Sequence, residues 1–293
     1  MRRQQIGSTQ IDRVVEIEQL RVPASALFPH CTPEIMAAAR GWLSERLIGR
    51  DADTLTMSFQ SFLVRSRGRT ILVDTCFGND KERPDVGFAH RLQTDYLGNL
   101  AQAGARPEDI DIVLCTHLHS DHIGWNTKLE DGRWIPTFPN ARYLISRADY
   151  EWYAAGNVSH MPGYAYDDSI LPVIEAGQVE LIEPGHVLTQ EIGDGIWLEG
   201  APGHTPGSVL LHCQDSHGHA VFTGDVMHHP IQAQAPSLHI HGETDWEMAQ
   251  ATRLRLLETY ADTDTTIFAA HFASPTAARF VRAGDQFHVS FLE

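Results

Sequence analysis

Two sheets packed together with helices outside, in an α/β chain, is the fold class that this sequence predicts. Three observations carry that reading. Apolar runs of strand length recur along the chain and are separated by stretches with helical spacing. Strands followed by helix and strand occur in the first half and again in the second. The 293 residues, 42% hydrophobic and 20% charged, suit one catalytic unit with a large core. We expect a single domain over residues 1–293, with an N-terminal segment of about residues 1–54 folded over the mouth of its site.

The elements follow in order. Ile11, Val14, Val15, Ile17 and Leu20 alternate loosely enough for an opening strand over 12–20. Thr32-Pro33-Glu34 starts a helical stretch through Leu47, because Pro33 suits a first turn. Strands at 55–65 and 69–75 flank the turn Ser66-Arg67-Gly68. Leu92, Tyr96, Leu100 and Ala103 recur at helical spacing up to Gly104. The apolar run Ile112-Val113-Leu114-Cys115 reads as a strand, as do residues 141–146, with a helix from Arg147 to Ala155. Further strands are expected at 194–199, 208–213 and 219–223. Thr244-Asp245-Trp246-Glu247 reads as a capping box ahead of a helix with Trp246, Ala249, Leu257 and Tyr260 on one face. Thr266–Ala270 is the last buried strand.

The strand at 112–115 runs into His117-Leu118-His119-Ser120-Asp121-His122. Extended residues alternate faces, so His117 and His119 point the same way and can grip one ion. Past Ser120 the chain should turn, bringing Asp121 and His122 in from another angle. His204, Asp225 and His271 each follow an apolar run and complete seven candidate ligands. That number suffices for two metal ions, an arrangement that usually performs hydrolysis. Imidazole and carboxylate donors suit zinc, and manganese, iron or cobalt at oxygen-richer positions.

Thr116-His117-Leu118-His119-Ser120-Asp121-His122 resembles the metal signature of the metallo-β-lactamase-fold hydrolases. Asp74 after Thr70–Val73, Gly203-His204-Thr205-Pro206-Gly207, Thr223-Gly224-Asp225 and Ala270-His271 continue the resemblance in order, over about residues 55–275. It implies a four-layer αββα sandwich. It also implies that His117, His119 and His204 hold one metal and Asp121, His122 and His271 the other. Asp225 and a water-derived hydroxide would bridge the two, and Asp74 would support a ligand from behind, although a turn cap before Gly78 is its plainer role.

Within that family the chain is similar to the lactonase and organophosphate (methyl parathion) hydrolase branch. Its bridging aspartate sets it apart from class B β-lactamases. His119 sets it apart from flavodiiron-type members, which carry glutamate there. Acyl-homoserine lactonases have a tyrosine three residues after the bridging aspartate; here that position is His228. His228 can serve as a hydrogen-bond donor or protonate a leaving alkoxide, and it can equally be structural. The resemblance implies cleavage of a lactone or ester of a small molecule by the bridging hydroxide, which Asp121 or Asp225 orients. A phosphotriester hydrolase, a glyoxalase II-like thioesterase, a mononuclear iron dioxygenase and a non-catalytic binding member are the alternatives. Phe28, Trp125, Trp152 and Met227 are the expected wall of the substrate pocket, with Trp134 and Phe138 as further aromatic candidates.

A formal net charge of −16 and the lack of a Lys/Arg cluster argue against nucleic acid as substrate. No apolar run approaches the ~20 residues needed to span a bilayer. Met1-Arg2-Arg3 is followed by no apolar stretch, which argues against an export signal and for a cytoplasmic protein. Cys31, Cys76, Cys115 and Cys213 are scattered and read as reduced thiols. Members of the resembled branch are commonly homodimers.

Overall fold

The computed structural model describes residues 3–50, 52–157, 163–183 and 195–292. A seven-stranded sheet has the order β1 (Gln4–Ile6), β2 (Thr9–Pro23), β3 (Thr54–Ser66), β4 (Arg69–Val73), β5 (Ile112–Leu114), β8 (Arg142–Ser146), β9 (Val179–Ile182). A six-stranded sheet runs β10 (Ile196–Gly200), β11 (Val209–Asp215), β12 (Gly218–Gly224), β13 (Thr266–Ala269), β14 (Ala278–Ala283), β15 (Gln286–Phe291). Between β5 and β8 a separate hairpin forms from β6 (Thr127–Glu130) and β7 (Arg133–Pro136).

Strand alternation divides the side chains between layers. Ile71 and Val73 of β4, with Ile112 and Leu114 of β5, enter the core between the sheets, where they meet Leu211, Phe222 and Phe268. Leu72 and Val113 point the other way, into a core shared with Tyr96, Leu100, Tyr153 and Val173 of the helices on that face. On the far side of the second sheet, Val221, Ile267 and Phe280 pack on Leu256 and Leu257 of the helix Trp246–Tyr260. The result is helix, sheet, sheet, helix, the sandwich expected from the sequence. Central strands are buried on both faces, which is why they read as near-continuous apolar runs.

Several local expectations change. The helix begun by Thr32, whose Oγ1 accepts from Ile35 N, ends at Ala39 rather than Leu47. Gly41 follows it, and the chain goes on in turns that still bury Leu43, Leu47 and Ile48. The later helix is capped one residue further on: Asp245, not Thr244, accepts from Met248 N at 2.9 Å. Trp246 lies 50% exposed, whereas Ala249 and Leu257 are buried. β13 is not the last strand, because β14 and β15 extend the sheet. The N-terminal segment is no simple cover, since β1 and β2 are integral strands of the first sheet. All four cysteines are free, and among the described residues no helix is long and apolar enough to cross a membrane.

Arg253, fully buried in the helix Trp246–Tyr260, holds the loop that carries His228. Its guanidinium donates to the carbonyls of Val226, Pro236 and Leu238 and to Glu243 Oε1 at 2.6–2.8 Å. Arg253→Met leaves a buried carboxylate and these carbonyls without their donor, so unfolding free energy should fall by about 3–5 kcal/mol in urea denaturation. A loss below about 1 kcal/mol would mean that the ion pair does not hold this loop.

Candidate metal centre

The seven candidate ligands come from four loops at one end of the sandwich. β5 delivers His117 and His119, and the turn at Ser120–Ile123 then carries Asp121 and His122. The loop before β11 brings His204, the end of β12 brings Asp225, and the end of β13 brings His271. Two glycines permit the approach. Gly224 has φ +48°, and a Cβ there would lie 2.6 Å from Thr116 Oγ1; at Gly203, φ +130°, it would lie 2.2 Å from Ala249 N.

The side chains converge in two groups that share Asp225: His117, His119, His204 and Asp225; and Asp121, His122, His271 and Asp225. His204 Nε2 stands 2.8 Å from His119 Nδ1, 3.2 Å from His117 Nε2 and 3.3 Å from Asp225 Oδ2. In the second group His122 Nε2 is 3.2 Å from Asp225 Oδ2 and 3.4 Å from Asp121 Oδ2. His271 Nε2 is 3.1 Å from Asp225 Oδ1 and 3.4 Å from Asp121 Oδ2. Bonds of about 2.0–2.1 Å to a tetrahedral ion place donor atoms about 3.4 Å apart, so both groups have the dimensions of a coordination shell. His122 Nε2 and Asp225 Oδ1 are buried and make no hydrogen bond, an arrangement that a protein tolerates poorly unless a cation completes it. The donor set and the spacing both fit divalent metal.

Electrostatics agree. Burial, and then the neighbouring imidazoles, hold His117 and His119 well below the ordinary histidine range. They are therefore neutral, with lone pairs available to a metal. Burial also works against charge on His122, yet Asp225, Asp121 and Asp74 surround it and raise it overall. Burial opposes ionisation of Asp225 too, but His122 and then His271 lower it overall.

Behind the ligands lies a set of tethers. Asp74 accepts from His122 Nδ1 at 2.9 Å and from Thr116 N and Oγ1 at 2.8 and 2.9 Å. Thr116 Oγ1 faces His117 Nδ1 at 3.2 Å, and the Ser58 carbonyl accepts from His271 Nδ1 at 3.1 Å. These bonds leave Nε2 of each ring for the centre.

Sequence reasoning missed two carboxylates. Asp149, in the first turn of the helix Arg147–Ala154, accepts from Leu118 N, Thr205 Oγ1 and Gly207 N at 3.2, 2.9 and 2.6 Å. It thereby joins the loop of His117 and His119 to the loop of His204, and burial pushes its carboxyl up to about 6. Glu16 sits where the β2–β3 register skips a residue, between Val15 and Ile17. This bulge aims its carboxylate at Phe77 N, Gly78 N and Trp125 Nε1, at 2.8, 3.1 and 2.7 Å. A charged residue inside an apolar alternating run was the available signal.

A cavity of about 560 Å³ opens over both groups. His119, Asp121, Asp225, His228 and His271 form its floor. His228 is buried, with Nε2 3.1 Å from Asp225 Oδ2 and its ring stacked on His271 at 5.7 Å. Burial brings it down to about 4, so it is a neutral imidazole. The expected aromatic wall is corrected. Phe28 and Met227 lie in apolar cores away from the cavity, and Trp152 packs against the helical core. Trp125 stacks on Tyr96 at 5.1 Å behind the metal loop. Trp134 lies under Lys81, and Phe138 is core. The walls come instead from Leu20, Val22 and Leu27, from Met57 and Phe59, and from Phe77 to Phe88. The N-terminal segment thus reaches the mouth through three side chains.

Fold and site together define a protein with a two-group histidine and carboxylate centre at the edge of an αββα sandwich. The model of the metallo-beta-lactamase superfamily matches residues 60–271, and the chain belongs to that superfamily. An N-acyl homoserine lactonase of Bacillus sp is 31% identical over 119 residues, 40% of this chain. The chain spans only 39% of that relative's length. Among solved structures, the hydrolase AbOPH of the beta lactamase superfamily superposes with TM-score 0.78 at 23% identity, covering 99% of this chain and 97% of that one. AidC, a dizinc quorum-quenching lactonase in complex with a product, gives TM-score 0.78 at 20% identity, covering 100% and 98%. At these identities the superpositions speak for the fold.

Asp149→Ala strands three buried donors between the two ligand loops, so metal affinity should fall by about 10–100-fold. The loss should be read by titrating a divalent metal against a competing chelator. Unchanged affinity would mean that Asp149 does not support the candidate ligands.

Proposed function

We propose that this protein is a metal-dependent hydrolase that holds two divalent ions, zinc foremost, and cleaves a lactone or ester bond of a small molecule. The observation that carries the reading is the pair of convergent ligand groups sharing Asp225 beneath an apolar cavity. His117, His119 and His204 would hold one ion and Asp121, His122 and His271 the other, with Asp225 common to both. Ions so held lower the pKa of a shared water and polarise a substrate oxygen. The likeness to lactonases supports the lactone or ester, and the nitrogen-rich donor set supports zinc over harder metals.

The chain's own residues supply the rest. Asp121 is the more open of the two carboxylates, with a side chain 20% exposed against 4% for Asp225. That openness supports a role for Asp121 in orienting an attacking water and taking its proton. His228 Nε2 stands 3.1 Å from Asp225 Oδ2 on the cavity floor, and a proton carried there could pass to a leaving alkoxide. The apolar walls exclude bulk water, which strengthens every polar interaction at the floor.

Acid release by the metal-loaded protein across lactones, simple esters and one phosphotriester tests the reading. Lactone or ester turnover that disappears with chelation is expected; turnover surviving complete metal removal would sink it. Cleavage of the phosphotriester alone would make this an organophosphate hydrolase. His119→Ala and Asp225→Ala should abolish hydrolysis and reduce bound metal. His228→Phe should lower kcat by about 10²-fold with metal content intact. Unchanged turnover on every substrate would remove His228 from the mechanism.

A further inference from the structure

The cavity wall is not uniformly apolar. Tyr164 and Asp85 both line the cavity, and the Tyr164 hydroxyl donates to Asp85 Oδ2 at 3.1 Å. Burial, and then Asp85, push the phenol up to about 12, so it remains a donor. Asp85 itself is exposed to the opening. Among the described residues no lysine or arginine lines this cavity.

The cations nearest in sequence are turned away and occupied. Arg83 is fully buried, grips Asp168 through two bonds of 2.7 and 3.0 Å, and lies beneath the Tyr164 ring at 5.4 Å. Lys81, also fully buried, donates to the Asp168 carbonyl at 2.8 Å and to Thr127 Oγ1, and sits over Trp134. These contacts fasten the loop of Asp85 to the helix Gly163–Ser169 that carries Tyr164. The carboxylate is therefore held at the rim by a rigid mount, and its hydrogen-bond partner is a neutral phenol.

We infer that the Asp85–Tyr164 pair is a charge filter that admits substrates whose end remote from the scissile bond is uncharged and rejects those ending in a carboxylate or phosphate. The inference rests on the hydrolase reading for the word substrate, but the filter acts on anything that enters. An anionic end within about 6 Å of Asp85, between apolar walls and in partly excluded water, meets repulsion that salt screens only in part. A discrimination of about tenfold is the scale expected for one partly solvated like-charge contact. Val22, Leu27, Met57, Phe59 and Phe88 offer the accepted end an apolar surface instead. Thioesters of acidic peptides fit this cavity poorly for the same reason.

The test uses two p-nitrophenyl esters of adipic acid, one with the far carboxyl free and one with it capped as the methyl ester, on the metal-loaded full chain. The wild type should favour the capped ester in kcat/KM by about tenfold or more, and Asp85→Asn should shrink that ratio to about threefold or less. Tyr164→Phe, which strips Asp85 of its donor, should keep or widen the ratio. Equal use of both esters by the wild type, or an unaltered ratio in Asp85→Asn, overturns the filter. Calorimetric binding of adipate against its monomethyl ester reads the same discrimination without turnover. Failure of the hydrolase reading and failure of the filter can thus be told apart.

Discussion

Asp225 is the constraint around which the rest is built. Four imidazole nitrogens, of His122, His204, His228 and His271, approach its oxygens at 3.1–3.3 Å in the dry end of a sandwich. A buried carboxylate is costly unless charge and hydrogen bonds answer it, and neutral imidazoles answer it only in part. Protonation of His122 offsets the cost in the protein alone, but it removes the lone pair that points at the centre. A bound divalent cation would resolve the conflict, since it would let the imidazoles stay neutral and the carboxylates ionised. The candidate ligand positions and the two glycines that let β12 and the His204 loop come close both suit that end.

Such a cluster needs a rigid frame, because an error of a few tenths of an ångström in a donor atom matters to coordination. The frame is made of buried acids used as staples. Asp74 ties the end of β4 to Thr116 and His122, and Asp149 ties the loop after β5 to the loop before β11. From the bulge in β2, Glu16 ties the edge of the sheet to Phe77, Gly78 and Trp125. Each spans segments far apart in sequence and accepts from backbone N–H groups that a loop would otherwise leave unpaired. Loops that carry ligands cannot use sheet ladders, so side-chain carboxylates satisfy them. Part of the acidity of this chain is therefore structural and internal, not a feature of its surface.

What could be read from residues alone divides along the same line. The convergence of the candidate ligands was legible because each combines a metal-binding residue type with the end of an apolar run, and strand alternation turns that into direction. The layers were legible because Ile71, Leu72 and Val73 or Ile112, Val113 and Leu114 have both faces buried. The staples were not, since Asp149 and Glu16 gain meaning only from what the fold carries to them. Helix details slipped by small steps: Thr244 and Asp245 are both competent caps, and the backbone returning from Gly203 and His204 selects the second. The pair β14–β15 escaped because its strands mix arginine, glutamine and histidine with Phe280, Phe287 and Val289, as a half-covered edge permits.

The pocket was the least legible part, for a reason that bears on function. Proximity in sequence to a ligand selects the back of a loop as readily as its front. Trp125, three residues after His122, falls in a turn whose ring faces Tyr96 and Glu16, and Met227, two after Asp225, enters the second sheet's core. The surface that a substrate meets is assembled from β2, β3, the loop over 77–88, the helix at 163–169 and the turn near Ile240, none of which contributes a ligand. His271 touches that wall directly, its ring set edge-on to Phe59 at 4.9 Å, while Phe59 packs on Phe77 and Phe88. Changes in the wall can thus alter which molecule is accepted without moving the ligands, provided the aromatic contact at His271 is kept. On the proposed reading the centre would supply the reactivity, and the choice of substrate would lie in wall segments that meet it through packing.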